Sequence, residues 1–287
     1  MANTTFQYDV VVIGGGPAGL QATLTLARVH RRVLMLDSGS YRNAPAEHMH
    51  NFLTRDGTPP EEFRTAAHKE LAAYDTVTVR HDPATAVVPD GDGFGVRVRV
   101  SVGVEGGEET LGARGVILAT GLRDTLPDTP GLAELFGSVV AHCPFCHGHE
   151  FAGRPIAVVG EAAHIGRIME PVASSVTILA QEQVAGLERA GDGARVLLTD
   201  GSSTEFGGVF VATALTQAAP FADQLGLHML SSGCVEVDVM GRTSLRGVHA
   251  AGDMAHVAAM PMPMQSVLVA AASGQLAAGA MVAHLLQ

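Results

Sequence analysis

The sequence predicts an α/β protein built from two related nucleotide-binding folds. Three observations carry that prediction. The run Tyr8-Asp-Val-Val-Val-Ile13 leads straight into Gly14-Gly15-Gly16-Pro17-Ala18-Gly19 and then into a helical stretch. A buried strand opening through a glycine turn into a helix is how a chain presents backbone to a dinucleotide. Arg154-Pro-Ile-Ala-Val-Val-Gly160 repeats the strand-into-turn pattern, so the middle of the chain reads as a related copy. Finally, 287 residues with 47% hydrophobic and 16% charged content can supply two buried cores.

In chain order, Tyr8 to Ile13 is a β-branched strand of the kind buried on both faces. Gly14 allows the tight turn, Gly16 lets a pyrophosphate approach the backbone, and Gly19 lets the helix Leu20 to Arg28 pack on the strand. A second strand, Arg32 to Leu36, ends in Asp37, placed to accept the ribose hydroxyls of an adenosine. Ser38 to Asp56 is rich in His, Asn and Pro and reads as a loop able to carry ligand contacts. Pro60 to Tyr74 is helical, with Glu61 and Glu62 in its first turn. Thr76 to Val79 is a strand, and Phe94 to Val104 alternates Val96, Val98, Val100 and Val102 with small or polar neighbours, implying an antiparallel meander. Gly115 to Ala119 is a further buried strand.

Arg123 to Gly131 is a Pro-rich connector and the boundary into a second unit. After Arg154 to Gly160 the turn reads Glu161-Ala162-Ala163-His164, where a Cβ at Ala162 and the charge of Glu161 oppose a pyrophosphate. Ser175 to Leu179 is a strand followed by Ala180-Gln181-Glu182-Gln183, with no Arg or Lys to hold a 2′-phosphate. Gly207 to Ala212, Cys234 to Val239 and the run into Gly252-Asp253 are later strands. The Met260-Pro-Met-Pro-Met264 segment is either loop packing or the wall of an adaptable apolar pocket. Val267 to Leu286 is long enough to cross a bilayer, but its Ser273, Gly274, Gln275, Gly279 and His284 better fit a helix buried against a sheet.

Two of the three cysteines stand in His142-Cys143-Pro-Phe-Cys146-His147-Gly148-His149. Thiols one helical turn apart can close a small disulfide ring, and Pro144 suits the first turn of a helix that Gly148 would end. Zinc is the competing reading, although no second C-x-x-C or H-x3-H pair exists to complete a metal site; inert packing is another. The histidines at 142 and 149 read as exposed or backbone-bonded. A net charge of -11 argues against a nucleic-acid surface. The first residues lack a basic and an apolar leader region, so a cytoplasmic, non-membrane protein is expected.

Together these residues resemble the low-molecular-weight thioredoxin reductase family of flavoproteins over nearly the whole chain. The resemblance implies two Rossmann-like, three-layer domains. The FAD domain would be discontinuous, residues 1–121 and 245–287, with an inserted pyridine-nucleotide-like domain, 122–244, carrying the cysteines. It implies FAD held by Gly14, Gly16, Pro17, Ala18, Gly19, Asp37, Thr120, Gly121, Gly252, Asp253 and Gln265, with Asn51 near the flavin, and a homodimer. No metal is implied.

Two departures point to function. The family's intact second glycine motif and following Arg-rich stretch are missing, and the Asp that follows its second cysteine is here His147. That histidine resembles the dithiol oxidase branch, which closes disulfides in small natural products such as holomycin and gliotoxin. The resemblance implies catalysis by Cys143, Cys146 and His147 on a small-molecule dithiol, with Cys146 nearer the flavin and O2 as acceptor giving hydrogen peroxide. The alternative is an NADPH- or ferredoxin-dependent thioredoxin or disulfide reductase. A flavin-binding sensor whose cysteines switch without turnover is the rival outside enzymes.

Overall fold

A computed structural model describes residues 6–100 and 107–287. The chain begins with β1 (Tyr8–Ile13), α1 (Pro17–Ala27) and β2 (Val33–Leu36), passes through an irregular segment, and continues with α2 (Pro60–Leu71), β3 (Val77–Arg80), β4 (Ala84–Asp90), β5 (Gly93–Val100) and β6 (Gly107–Leu118). β3, β2, β1 and β6 are parallel neighbours, and β5 and β4 extend the sheet antiparallel. β1 alternates between two cores: Val11 and Ile13 join the cluster under β5, while Val10 and Val12 join the one under α1. A strand with both faces buried has no use for polar alternation, which is why its sequence is an unbroken apolar run.

The sequence did not announce β4, whose Pro89 removes a ladder donor. That proline is tolerated because β4 is the edge of the sheet. β6 begins eight residues before the expected Gly115, because the Glu-rich stretch from Gly107 pairs with β5. Val102 and Val104, expected in the meander, lie outside the described residues.

The middle of the chain holds β7 (Leu122–Thr125), α3 (Leu132–Leu135), β8 (Val140–Ala141), α4 (Pro144–His147), β9 (Pro155–Val159), α5 (Ala163–Met169), β10 (Ser175–Leu179), β11 (Val184–Ala190), β12 (Gly193–Leu198), β13 (Ser203–Phe206), β14 (Gly208–Val211) and β15 (Ala214–Gln217). β10, β9, β14 and β8 form a second parallel sheet, and β11 to β13 an antiparallel one. Alternation works here as in β1: Ala157 and Val159 of β9 meet Leu187, Val196 and Phe206, while Ile156 and Val158 meet Ile165 and Met169 of α5. Helix, parallel sheet and antiparallel sheet recur in both halves, as the sequence repeat predicted.

The remainder is α6 (Phe221–Gln224), β16 (Val235–Glu236), β17 (Val248–Ala250), β18 (Ala255–His256) and α7 (Val267–Leu285). β17 joins β6 in the first sheet. The chain divides into two compact units, Met1–Arg42 with Glu61–Arg123 and Thr216–Gln287, and Asn43–Pro60 with Asp124–Leu215. Two segments therefore lie across the boundaries expected from sequence. Residues 216–244 join the first unit because Phe221, Ala222, Leu227 and Val235 pack into the β1–β6 core. Residues 43–60 join the second. The expected strand over Cys234 to Val239 shrinks to the two residues of β16.

α7 is the one described helix long and apolar enough to cross a membrane. One face is packed: Ala277, Ala278 and Met281 are buried with α1, and a Cβ at Gly274 would run into the carbonyl oxygen of Ala18. Gly279, on the exposed face, has open space where a Cβ would go. We therefore expect Gly274→Ala to lower stability by about 1–3 kcal/mol and Gly279→Ala to raise it by about 0.5–1 kcal/mol. Chemical denaturation checks both, and equal shifts would refute this packing.

Candidate cofactor cradle and redox pair

The first unit contains a cradle shaped like a dinucleotide site. Gly14 has φ +123°, and a Cβ there would strike the carbonyl of Ala119. At Gly19 a Cβ would strike the carbonyl of Gly14, so helix and turn close on each other. Gly15 is forced too, a reason the motif alone does not supply: the Asp37 carboxylate lies where its Cβ would be. Gly16 differs, since nothing stands within 4 Å of a Cβ built on it. It is the N-cap of α1, has no capping side chain, and is followed by Pro17 and by no acidic residue in the first turn. Open space over uncapped backbone amides at a helix start suits a pyrophosphate.

Asp37 is 1% exposed. Its carboxylate accepts hydrogen bonds from the Gly39 amide (2.9 Å) and the Tyr41 hydroxyl (2.6 Å), and faces His68 Nε2 at 3.5 Å. Burial, then the bond to Asp37, pushes the Tyr41 hydroxyl pKa up, so it stays a donor. On the other flank Gly252 (φ +78°) donates its amide to Ser273 Oγ at 2.9 Å, and its missing Cβ leaves room for Ala18. Arg42 links two predicted residues, donating to Asp253 Oδ2 at 3.0 Å and Gln265 Oε1 at 2.7 Å. Thr120 donates to Met254 Sδ at 3.4 Å, and Gly121 makes its turn at φ +71°. The donors, the cation and the buried acid fit FAD. Asn51 belongs to the 43–60 segment, which is part of the second unit, and is exposed.

In the second unit Cys143 and Cys146 are joined in a disulfide with their Cα atoms 5.3 Å apart. Cys143 is the extended N-cap of the one-turn helix α4 and Pro144 its first residue. The Cys143 carbonyl accepts the amides of Cys146 and His147, each at 3.2 Å. Gly148 ends α4, as expected, but in a right-handed helical conformation. It is glycine because a Cβ would meet the Pro144 carbonyl and Met169 Sδ. Phe151, edge-on to Phe210 at 5.5 Å, anchors the following turn. His142 stacks on Phe136 at 5.6 Å, and His149 is exposed.

His147 Nδ1 is buried without a hydrogen-bond partner among the described residues. Burial is the largest influence on this imidazole and lowers its pKa; Glu150 and a backbone hydrogen bond at Gly137 oppose that shift, and His50 adds to it. The ring is thus kept neutral and able to accept a proton at ordinary pH. The sequence did not single out His50. Its Nε2 faces Glu150 Oε1 at 3.5 Å and its Nδ1 faces Asp56 Oδ1 at 3.5 Å. Arg42, Tyr41 and His68 were likewise missed around the cradle. The signal available for Arg42, Tyr41 and His50 was the His- and Asn-rich loop after Asp37. Among the described residues no three His, Cys, Asp or Glu side chains are grouped to hold a metal ion.

The turn after β9 corrects one expectation. Ala162 does not offer its Cβ to an incoming phosphate; it is 1% exposed and packs among Ile156, Ile165 and Phe210. Glu161, Ala163 and His164 are the exposed residues of that turn. Beyond β10, Gln181 donates to Thr129 Oγ1 and Gln183 accepts the Ala180 amide. The stretch 180–183 contains no cation.

The pyridine nucleotide-disulphide oxidoreductase family profile matches residues 8–169 and 163–274. The chain is 32% identical to thioredoxin reductase aclD of Aspergillus oryzae over 97% of this chain and 96% of that one. Among solved structures it is similar to an oxidoreductase from Agrobacterium tumefaciens, with TM-score 0.86, 29% identity, and 98% and 99% of the two chains covered. HlmI superposes with TM-score 0.84 at 32% identity, over 97% of this chain and 92% of its own.

Because nothing opposes a side chain at Gly16, we expect Gly16→Val to fold normally yet purify with little flavin, as read by the ratio of flavin to protein absorbance. Retained flavin would sink the cradle assignment. Burial also lowers the pKa values of His249 and His284. Like His147, these bind protons less readily folded than unfolded. Their contribution is therefore present above about pH 6.5 and lost as pH falls through the depressed folded values. The thermal midpoint should drop on acidification from about pH 7.5 to about pH 5, less steeply in His249→Gln.

Proposed function

The chain belongs to the pyridine nucleotide-disulphide oxidoreductase family, and we propose that its Cys143–Cys146 pair is the electron entry of an FAD-dependent dithiol oxidase. It is a thioredoxin reductase-like flavoprotein with FAD as cofactor. The oxidase assignment is the further step. Its substrate would be a small-molecule dithiol, its product the intramolecular disulfide, and its electron acceptor molecular oxygen. The observation that carries this reading is the imidazole of His147, its Nδ1 buried, directly after the closed cysteine pair.

In this mechanism His147 takes the proton of one substrate thiol, and the resulting thiolate attacks Cys143 Sγ. The Cys143–Cys146 bond breaks and Cys146 leaves as a thiolate. The second substrate thiol then attacks the substrate sulfur of the mixed disulfide, releasing the cyclic disulfide and the Cys143 thiolate. The substrate has lost two electrons and two protons, and the cysteine pair has gained the electrons. Bound FAD would supply a two-electron acceptor for that reduced pair and pass the electrons to O2 as hydrogen peroxide. Gly14, Gly16, Pro17, Ala18 and Gly19 would hold its pyrophosphate, Asp37 its ribose, and Thr120, Gly121, Gly252, Asp253 and Gln265 the remainder. Asn51 would approach the flavin, and a homodimer is the proposed assembly.

The second unit supports electron flow from dithiol to flavin without a pyridine nucleotide. Its turn after β9 carries an exposed Glu161, whose charge opposes a phosphate, and the stretch 180–183 directly after β10 has no Lys or Arg. A second reading, an NAD(P)H- or ferredoxin-dependent disulfide reductase, is favoured by the Aspergillus oryzae relative, which is named a thioredoxin reductase.

Anaerobic titration separates the two. We expect a dithiol such as dithiothreitol to bleach the flavin at once and NADPH to leave it oxidised; the reverse pattern would establish the reductase. Cys146→Ser should keep FAD and lose dithiol-dependent oxygen uptake by roughly a thousandfold or more.

A further inference from the structure

His50 lies outside every element of the first unit's sheet, although the sequence around it follows β2. The segment carrying it is pinned to the redox unit. Pro45 abuts Gly137, where its carbonyl and ring leave no room for a Cβ, and Met49 pairs with Thr58 across an isolated bridge. The Asn51 amide, at φ +60°, donates to Asp56 Oδ1 at 2.7 Å. The result is an imidazole with a carboxylate at each ring nitrogen: Glu150 Oε1 at Nε2 and Asp56 Oδ1 at Nδ1.

We propose that His50, clamped between Glu150 and Asp56, is a positioning residue that carries the proton taken by His147 out to solvent. The proposal rests on the dithiol chemistry above. Two thiol protons must leave the substrate for each disulfide formed, and a buried imidazole cannot accept the second until it has released the first. The groups are graded for that release: His147 Nδ1 is buried, the His50 side chain is 23% exposed, Glu150 38% and Asp56 68%. An imidazole with a carboxylate facing each nitrogen can receive a proton at one and release it from the other without turning. Glu150 stands three positions after His147, in the tight turn His149–Phe151 that follows α4 and is capped by the same Gly148, which brings the relay's first carboxylate onto the segment that carries His147. The groups around His50 are thus Asp56 and, at 6.5 Å, the His48 ring from its own loop, with Glu150 and His147 from the redox segment. Each proton passes from substrate thiol to His147, then through Glu150 and His50 to Asp56 and water. No electrons move along this route.

The test is the half-reaction that needs neither flavin nor oxygen. Purified protein is mixed with dithiothreitol under nitrogen, quenched with iodoacetamide at intervals, and the alkylation of Cys143 and Cys146 is followed by mass spectrometry across pH. We expect the parent rate to level off above neutral pH. His50→Ala should be about tenfold slower near pH 7 and keep rising with pH as solvent base takes over. Added imidazole should restore the His50→Ala rate, an effect no loss of packing would show, and Glu150→Gln should slow the reaction in the same direction. His147→Gln combined with His50→Ala should be no slower than His147→Gln alone. If His50→Ala does not fold, the Glu150→Gln profile decides. Superposable pH profiles, or no response to imidazole, overturn the relay. A parent protein whose disulfide is reduced normally but which never consumes oxygen overturns the oxidase reading and leaves the relay standing.

Discussion

The structure depends on a few places where no side chain is allowed. α1 sits so closely between the turn after β1 and α7 that Gly19 faces the Gly14 carbonyl and Gly274 the Ala18 carbonyl, while within the turn Gly14 faces the Ala119 carbonyl beyond β6 and Gly15 the Asp37 carboxylate. A Cβ at any of these points would push helix from strand or acid from turn. The same wedge leaves Gly16 open, with the start of α1 uncapped above it. Close packing on three sides and space on the fourth turn a structural motif into a cradle for an anionic cofactor.

The second unit keeps this architecture with a different turn after β9. β9 buries both faces as β1 does, yet the turn that follows carries Ala162 into the core and Glu161 outward. The unit carries the cysteine pair just beyond the end of β8. There Cys143 caps a single helical turn and Phe151 fastens the chain beneath it. A neutral imidazole beside a disulfide is suited to receiving protons from thiols, and carboxylates beyond it are suited to passing them on.

Loop 43–60 ties the sequence's first half to this second site. It leaves the first unit after Arg42, which bridges Asp253 and Gln265, and delivers His50 beside Glu150 before α2 begins. The irregular stretch between β2 and α2 thus supplies Arg42 to the cradle and His50 to the redox segment. Loops tolerate such dual duty because their backbone is not committed to a ladder.

Local order determined much of this protein from the sequence alone. β1, β2, β9 and β14 were legible as apolar runs because strands buried on both faces carry no alternation. The glycine turn, Asp37 and the C-x-x-C with its histidine were legible because their chemistry depends on residues close in the chain. Only the tertiary structure decided the rest. β4 and the β11–β13 meander gain their identity from partners across the sheet, and Ala162 turns inward because of Ile165 and Phe210. Segments 216–244 and 43–60 belong to units other than those their sequence neighbours suggest. The pairs Arg42 with Asp253 and His50 with Glu150 stand 211 and 100 positions apart. No spacing rule reaches that far, since side chains so distant in sequence meet only once the two cores have folded around them.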